Sequence, residues 1–254
     1  MKITVLGSGS KGNSTLVEIK NTKILIDVGF SYRVLKEKLN TINVDPLTID
    51  YILITHDHSD HIYGLKTYLK NYKPFVYMSK KIADLFFDFD YENIIYLEDE
   101  LKIDDILITT LQTSHDATDS CGYLITYKDE SLVYITDTGY INVKVLNKIK
   151  NKTYYIFESN HDIDMLINGK YPQYLKQRIW GDKGHLSNDL AGSYLSKLVG
   201  DNTKKIVLAH LSEENNTPEI ALETLKRELA ENNIEFSNYE IAGQYEKTEV
   251  VEVW

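Results

Sequence analysis

Four apolar, strand-like stretches of this chain each end in a histidine or an aspartate, and this feature restricts the fold most strongly. They read YILIT before HDHSDH, ILITTLQTS before HD, SLVYIT before DTG and KKIVLA before HLS. In open α/β sheets, the groups that bind ligands lie at the carboxyl ends of strands. We therefore expect these acids and imidazoles to converge in the folded chain.

The hydrophobic pattern predicts strands interleaved with helices. Predicted strands cover 2–6, 14–20, 23–27, 51–55, 75–78, 106–113, 122–127, 131–136, 153–158, 204–209 and 247–253. Predicted helices cover 31–39, 62–72, 80–88, 142–149, 161–180, 188–199 and 218–232. The early strands are typical of hairpins and the later ones alternate with helices. This mixture favours two sheets packed face to face with helices outside.

The stretch VLGSGSKGNS places Gly7, Gly9 and Gly12 at the GxGxxG spacing of a dinucleotide-binding turn. That function needs a helix after the glycines, because the helix N-terminus holds the pyrophosphate. Alternating apolar and polar residues follow instead and predict a hairpin, so we expect no nucleotide cofactor. We interpret the loop as a turn at the rim of a site, where Asn13 contacts substrate phosphate. Simple turn geometry explains the glycines equally well.

The bulk composition is that of an ordinary globular protein, with 43% hydrophobic and 26% charged residues. We expect a single domain over residues 1–254. One cysteine excludes an internal disulfide, and no stretch approaches the roughly 20 apolar residues of a membrane span, so we expect a cytoplasmic location. The net charge of −10 argues against a broad nucleic-acid-binding face, but not against a phosphodiester met by metal ions.

The string HDHSDH is the strongest sign of a metal site. Residues two apart in an extended backbone point the same way, so His56 and His58 can bind one ion. Asp60 and His61 can bind a second as the chain turns. Imidazole and carboxylate ligands suit zinc, manganese or iron. The alternative is a polar helix start with exposed histidines.

More distant residues extend this cluster. His115, Asp137 and His210 each follow an apolar stretch and would complete the ligand shells. Taken alone, each is more often a surface or capping residue. Together with HDHSDH, they favour metal ligation.

These strings resemble the metallo-β-lactamase superfamily, and GSGSKGNS, TDTGY, ESNHD, GHLSN and LAHLSEENN resemble its YycJ/WalJ (also VicX) branch. The resemblance implies an α/β fold, the four-layer αββα sandwich. It implies a first metal on His56, His58 and His115 and a second on Asp60, His61 and His210. Asp137 would bridge the two, and Asp27 would support a ligand histidine from behind.

The branch resemblance also implies an activity, phosphodiester hydrolysis as a 5′→3′ DNA exonuclease. Two ions of Zn²⁺ or Mn²⁺, or of Fe²⁺, would hold a bridging hydroxide as the nucleophile. We hypothesise that Asp60 orients the attacking water and accepts its proton. His185, in a string similar to the Gly-His-Ser/Thr stretch of transfer-RNA 3′-processing enzymes, would protonate the leaving group. The alternative for His185 is a histidine preceding the Ser187 helix cap.

Further expectations concern substrate contacts. Glu158 and His161 are interpreted as groups near the substrate, although a support position for Glu158 and an ordinary helix entry for His161 are equally compatible. The predicted phosphate contacts, with a solvated helix face as the alternative, are Lys170, Lys176, Arg178 and Lys183. The alternative functions are hydrolysis of a small phosphodiester, ester or lactone, and a metal-binding regulatory partner in a signalling system.

Overall fold

A computed structural model of the chain describes residues 1–86, 91–248 and 251–252. These residues form two compact units. The first unit comprises Met1–Asp99, Ala117–Asp119 and the described part of Gly243–Trp254; the second comprises Glu100–Asp116 and Ser120–Ala242. Each unit is built around one sheet.

The sheet of the first unit has the described strand order β14-β1-β2-β3-β4-β5-β6. Its strands are β1 (Lys2–Gly7), β2 (Ser14–Ile19), β3 (Thr22–Ile26), β4 (Tyr51–Leu53), β5 (Phe75–Met78), β6 (Ile94–Tyr96) and β14 (Val251–Glu252). Strands β14, β1, β2 and β3 pair antiparallel, whereas β3 to β6 pair parallel. The carboxyl ends of β3 and β4 therefore lie side by side.

Helices and an apolar cluster complete the first unit. The helices are α1 (Tyr32–Asn40), α2 (Ser59–Ile62), α3 (Leu65–Asn71) and α4 (Lys80–Phe86), with a short 3₁₀ turn at Pro46–Thr48. Ser31 caps α1 by accepting a hydrogen bond from the Val34 amide. Leu35 and Leu39 of α1 are fully buried in the same apolar cluster as Leu25 of β3. Burial of this apolar face holds the helix on the sheet.

The sheet of the second unit has the described order β13-β12-β11-β10-β9-β8-β7. Its strands are β7 (Glu100–Ile103), β8 (Ile106–Gln112), β9 (Cys121–Tyr127), β10 (Glu130–Ile135), β11 (Tyr154–Glu158), β12 (Lys205–Ala209) and β13 (Tyr239–Ile241). Strands β7 to β10 pair antiparallel, and β10 to β13 pair parallel. The carboxyl ends of β10, β11 and β12 are neighbours.

The helices of the second unit begin at well-defined caps. They are α5 (Val143–Lys148), α6 (Ile163–Asn168), α7 (Gln173–Trp180), α8 (Asn188–Leu198) and α9 (Pro218–Glu231). Ser187 caps α8, and Thr217 with Pro218 begins α9. Leu195 of α8 and Leu225 of α9 are buried with the sheet residues of this unit.

The structure differs from the predicted elements in a few places. The predicted helix 62–72 is divided into α2 and α3 at Gly64, and 161–180 is divided into α6 and α7 before Pro172, which cannot continue a helix. The short strands β6, β7 and β13 were not predicted. Residues 87–88 of the predicted helix 80–88, and residues 249–250 and 253 of the predicted strand 247–253, lie outside the described residues. Within the described chain, no helix is both long and apolar enough to cross a bilayer.

Candidate metal centre

In the first unit, the string HDHSDH follows β4 and turns into α2, which gathers its side chains. The ring centroids of His56 and His61 are 4.0 Å apart, and those of His56 and His58 are 4.8 Å apart. The Asp60 carboxylate lies 3.4 Å from His61 Nε2. His56 and His61 are buried, and the Asp60 side chain is 20% exposed. The predicted local cluster of imidazoles and one carboxylate is therefore present.

A buried carboxylate lies behind this cluster. Asp27 follows β3, and its Oδ2 atom accepts a hydrogen bond of 2.8 Å from His61 Nδ1. Thr55 donates to both oxygens of Asp27, through its amide and its hydroxyl. The Thr55 hydroxyl also lies 3.0 Å from His56 Nδ1. With the proton on Nδ1, each ring carries its lone pair on Nε2, the nitrogen suited to a metal ion.

The electrostatics of Asp27 are set mainly by burial. Removal from water raises the pKa of its carboxyl, and the His61 imidazole and the Thr55 hydrogen bonds oppose that rise. Asp27 was predicted to support a ligand histidine, and in the structure it contacts His61.

The glycine loop packs directly against the HDHSDH turn. The Asn13 side-chain oxygen accepts hydrogen bonds from the Ser8 hydroxyl and the Gly9 amide, which closes the loop. Its Nδ2 donates to Asp60 Oδ2 and to His61 Nε2, at 3.2 and 3.0 Å. Asn13 has 0% exposure. Asn13 therefore positions the glycine loop against the HDHSDH turn, and its contact with substrate phosphate stays a prediction.

Gly29 allows this close packing. A Cβ atom at this position would lie 1.7 Å from the Asp60 carbonyl oxygen and 2.5 Å from the Asn13 nitrogen. The Asn13 amide donates to the Asp60 carbonyl, and the Gly29 amide donates to the Asn13 carbonyl. Three segments distant in sequence meet here, and only glycine leaves enough room.

In the second unit, a separate group of donors lies at the ends of neighbouring strands. Donor atoms of Asp137, Glu158, His185 and His210 all lie within 4.8 Å of one another. Asp137 follows β10, Glu158 ends β11 and His210 follows β12. His185 precedes α8. The parallel pairing of β10, β11 and β12 brings these residues together.

Glu158 organises the histidines of this group. Its Oε1 accepts hydrogen bonds from His185 Nδ1 at 2.7 Å and from His210 Nδ1 at 3.0 Å. Its Oε2 accepts from the amides of Thr138 and Leu186. Burial favours a higher pKa, but the His185 charge and the hydrogen bonds outweigh it and lower the pKa of Glu158 to about 2.

This position corresponds to the support position, one of the two interpretations that the sequence left open for Glu158. The side chain has 0% exposure, and both oxygens are occupied by internal donors. The carboxylate orients His185 and His210 from behind through their Nδ1 atoms, which leaves Nε2 as the outward nitrogen of each ring. His185 keeps 19% side-chain exposure, which leaves its ring accessible to a bound molecule.

His115 joins the same group from the end of β8. Its Nδ1 donates to the Gly184 carbonyl at 3.0 Å, and its Nε2 lies 3.7 Å from Asp137 Oδ1. Burial lowers the pKa of His115, against the raising influence of Asp137. The predicted residues His115, Asp137 and His210 are therefore neighbours within the second unit, where His210 Nε2 lies 3.5 Å from Asp137 Oδ1.

Three of these residues have an unusual backbone conformation. Asp27, Asp137 and His210 have φ angles of 60°, 57° and 58°. Asp27 and His210 directly follow a strand, and Asp137 lies two residues after the end of β10; at each, the left-handed conformation turns the chain sharply. This region is uncommon for residues other than glycine, and such strain concentrates at functional sites.

The remaining predicted substrate contacts occupy different environments. His161 has 0% exposure, and neither ring nitrogen has a hydrogen-bond partner among the described residues, so its contact with substrate stays a prediction. Burial, reinforced by the neighbouring His185, lowers the pKa of His161 to about 4. Lys170 and Lys183 are exposed, whereas Lys176 donates to the Ile167 carbonyl and Arg178 pairs with Asp116.

Sequence reasoning missed Thr55, Thr138 and Gly29. Thr55 and Thr138 supply donors to the two buried carboxylates, and Gly29 allows the close packing of Asn13 and Asp60. Their residue types are common in turns, and no local pattern distinguishes them. Thr55 alone could have been found from the sequence, because it directly precedes the HDHSDH string.

Comparison with known proteins supports the fold and the strings identified above. The sequence model of the Metallo-beta-lactamase superfamily matches residues 7–210. The chain is 37% identical to Exodeoxyribonuclease WalJ of Streptococcus pneumoniae, over 91% of this chain and 88% of that protein. It is 34% identical to Exodeoxyribonuclease YycJ of Bacillus anthracis, over 91% and 90% of the two chains. These matches confirm the predicted family and its YycJ/WalJ branch.

Solved structures show the same fold. The metallo-β-lactamase fold protein YhfI of Bacillus subtilis superposes with a TM-score of 0.72 over 98% of this chain and 99% of that one, at 18% identity. The short form of human tRNase Z superposes with a TM-score of 0.69 over 99% and 100% of the two chains, at 14% identity. The predicted fold class is therefore confirmed.

Proposed function

The chain belongs to the metallo-β-lactamase superfamily, and on that premise we propose that it is a metal-dependent phosphodiesterase that acts as a DNA exonuclease. The observation that carries the proposal is the identity of 34–37% to proteins named exodeoxyribonuclease, over nine-tenths of the chain. The donor residues of both units lie within residues 7–210, the segment that matches the family model. The 5′→3′ polarity follows from the branch resemblance.

The donor sets of both units fit divalent metal ions. Buried imidazoles that donate from Nδ1 to a carboxylate, as His61 and His210 do, are typical ligands of zinc, manganese and iron. In this proposal His56, His58 and His115 would hold one ion, Asp60, His61 and His210 would hold a second, and Asp137 would be a further ligand of the pair. This assignment follows the family pattern, and the family match through residues 7–210 also supports one domain containing both units.

When bound, the metal ions supply positive charge that acidifies water and polarises the phosphate. The chain's own residues supply orientation and proton transfer. Asp60, partly exposed and held by Asn13, orients the attacking water and accepts its proton. Asp27 keeps the His61 ring in the tautomer that a ligand requires.

His185 donates the proton to the leaving alkoxide. Its Nδ1 is bound to Glu158, so Nε2 is the atom that exchanges the proton. The ionised Glu158 carboxylate stabilises the positive charge that the ring carries before transfer, since its pKa is lowered to about 2. Partial exposure of the His185 side chain permits contact with the phosphodiester.

A direct test uses purified protein reconstituted separately with Zn²⁺ and Mn²⁺. Duplex DNA labelled at the 5′ end or at the 3′ end is digested beside a small phosphodiester. A ladder that begins at one end of the DNA supports the exonuclease, and mononucleotide release from the 5′ label supports 5′→3′ polarity. Hydrolysis of the small phosphodiester alone would favour the small-substrate alternative.

The role of His185 is tested with His185→Ala. We expect turnover of DNA to fall ~10²-fold or more, as for loss of a general acid, while metal content by elemental analysis stays that of the wild type. Added imidazole is expected to restore part of the rate. Loss of metal together with turnover would assign the residue to metal binding, and an unchanged rate would exclude the proton-transfer role.

A further inference from the structure

A groove of about 560 Å³ in the first unit runs beside the HDHSDH turn. Ser59 and Asp60 form part of its wall, next to Lys11, Tyr63 and Tyr245. Its volume is within the range of sites that bind small molecules and cofactors, ~300–1,000 Å³. The groove can therefore hold a nucleotide-sized group next to Asp60.

Tyr245 is exposed and yet fixed in position. Its side chain is 61% exposed, although its hydroxyl accepts a hydrogen bond of 2.9 Å from Lys11 Nζ. Its carbonyl accepts a 2.7 Å bond from Lys38 Nζ. The preceding Gln244 bonds the Lys11 amide and the Gly12 carbonyl of the glycine loop. One of these bonds fixes the ring through its hydroxyl and the other fixes the backbone that carries it. A ring fixed in this way loses little conformational freedom when a flat group stacks on it.

Tyr63 provides a second exposed ring in the groove. It is 68% exposed and follows α2 directly, where its amide donates to the Ser59 carbonyl. Because α2 begins within HDHSDH, the backbone that carries this ring is continuous with the proposed metal ligands. An exposed aromatic ring at this place can stack on a base of a bound strand.

Basic side chains outnumber the acidic ones in the groove, where Asp60 is the one carboxylate among the described lining residues. Lys11 and Lys38 contribute two positive groups to its walls, whereas the net charge of the protein is −10. Exposed aromatic rings next to basic side chains are the combination with which proteins bind single-stranded nucleic acid, by base stacking and phosphate attraction.

We propose that this groove binds single-stranded DNA next to the scissile phosphodiester, with bases stacked on Tyr245 and Tyr63 and a phosphate near Lys11. The inference rests on the proposed nuclease function and specifies the strand segment that the enzyme holds. It also gives the glycine loop a purpose, since the loop positions Lys11 and, through Gln244, the segment that carries Tyr245.

The test separates binding from catalysis. The full chain loaded with Mn²⁺ is titrated against a fluorescein-labelled oligothymidine with a cleavage-resistant phosphorothioate backbone, and anisotropy gives the Kd. Loss of one stacked base costs ~5-fold or more in affinity, so Tyr245→Ala and Tyr63→Ala should each raise the Kd by at least that factor. Tyr245→Phe keeps the ring and should bind like the wild type.

Tyr96→Ala is the matched control, because Tyr96 is a 48% exposed tyrosine of the same unit outside the groove lining. Melting temperatures verify that each variant is folded. Unchanged Kd values for both groove variants, or no binding by the wild type, would overturn the inference. A third outcome separates the two proposals: the wild type binds DNA and the groove variants do not, but labelled DNA stays intact with every metal. This result would support DNA binding by the groove and contradict the proposed nuclease activity.

Discussion

In the first unit the donor groups come from one short turn, His56–His61, whereas in the second unit they come from the ends of separate strands. The first cluster depends on local geometry and is supported by Asp27 and Thr55. The second depends on the parallel pairing of β10, β11 and β12, with Glu158 at its centre. Proximity in sequence therefore assembles the donor groups of the first unit, and the pairing of strands assembles those of the second.

The buried carboxylates of the two units differ in their energetics. Asp27 supports one imidazole, and burial raises its pKa. Glu158 supports two imidazoles and accepts two backbone hydrogen bonds, and its pKa is lowered. A lowered pKa means that the folded state stabilises the ionised carboxylate, whereas a raised pKa means that folding opposes ionisation. The comparison predicts that the charge of Glu158 contributes more to the free energy of unfolding than the charge of Asp27 does.

The largest effect is expected from Gly29→Ala in the first unit. The added Cβ would overlap the Asp60 carbonyl, so the glycine loop and the HDHSDH turn must separate. We expect destabilisation of about 4 kcal/mol or more, a melting temperature lower by about 10 °C or more, and loss of metal binding. Differential scanning calorimetry and metal analysis measure these changes.

Gly243→Ala is the control for that substitution. Its added Cβ would meet its nearest atom, Glu246 Cβ, at an ordinary 3.7 Å. We expect its free energy of unfolding to stay within about 0.5 kcal/mol of the wild-type value. Equal stability of the two variants would show that the approach of the three segments is not constrained at Gly29.

The contrast between carboxylates is tested with Glu158→Gln and Asp27→Asn, which keep the shape and remove the charge. The lowered pKa of Glu158, from 4.5 to about 2, corresponds to about 3 kcal/mol of stability at neutral pH. For Asp27→Asn we expect a smaller loss, below about 1 kcal/mol, because burial already disfavours its charge. Urea denaturation of metal-free protein at neutral pH gives both values. A larger loss for Asp27→Asn would reverse the comparison.

We expect the free energy of unfolding to depend on pH through the His161 imidazole in the second unit. Its pKa is lowered from 6.5 to about 4 in the folded state, so between these values the unfolded chain binds more protons. Stability contributed by the neutral ring is complete above about pH 6.5 and falls as the pH decreases, by up to about 3 kcal/mol at pH 4. His161→Leu should flatten this part of the profile in urea titrations of metal-free protein. The same slope in both proteins would assign the effect to other groups.

The smallest effects concern the exposed cations of the second unit. Lys183→Ala and Lys170→Ala are expected to weaken DNA binding only a few-fold. Each lost phosphate contact lowers the slope of log affinity against log salt by ~0.7 for single strands. Anisotropy titrations over a salt series measure the slope, with the exposed Lys144→Ala of α5 as control. An unchanged slope would confine phosphate binding to the groove of the first unit.

The sequence permitted prediction of most strands and helices and of the metallo-β-lactamase family. Alternation of apolar residues identified the long elements, and the caps at Ser187 and Thr217 identified helix starts. The short strands β6, β7 and β13 carry too few residues for a periodic signal. The divided helices continued an apolar pattern across Gly64 and across the segment before Pro172, where the backbone ends each helix.

The site was predictable where its members are neighbours in sequence or match a family string. The ligand set and the role of His185 remain predictions that the experiments above address. The burial of Asn13 and His161 was not predicted, and for Glu158 the sequence could not choose between a support position and a substrate contact, because burial depends on which other segments of the chain pack over a side chain. Asn13, for example, is enclosed by the turn that contains Asp60, 47 residues away.

By itself, the sequence determined the chemistry of this protein: which donor groups it carries, which of them are adjacent, and that strands deliver them. The tertiary structure alone decided their partners. Strand pairing set which imidazoles share Glu158, and the close approach at Gly29 set how Asn13 reaches Asp60 and His61. The physical reason is that hydrogen bonds act over about 3 Å, a distance that sequence spacing does not specify once the chain has left its local element.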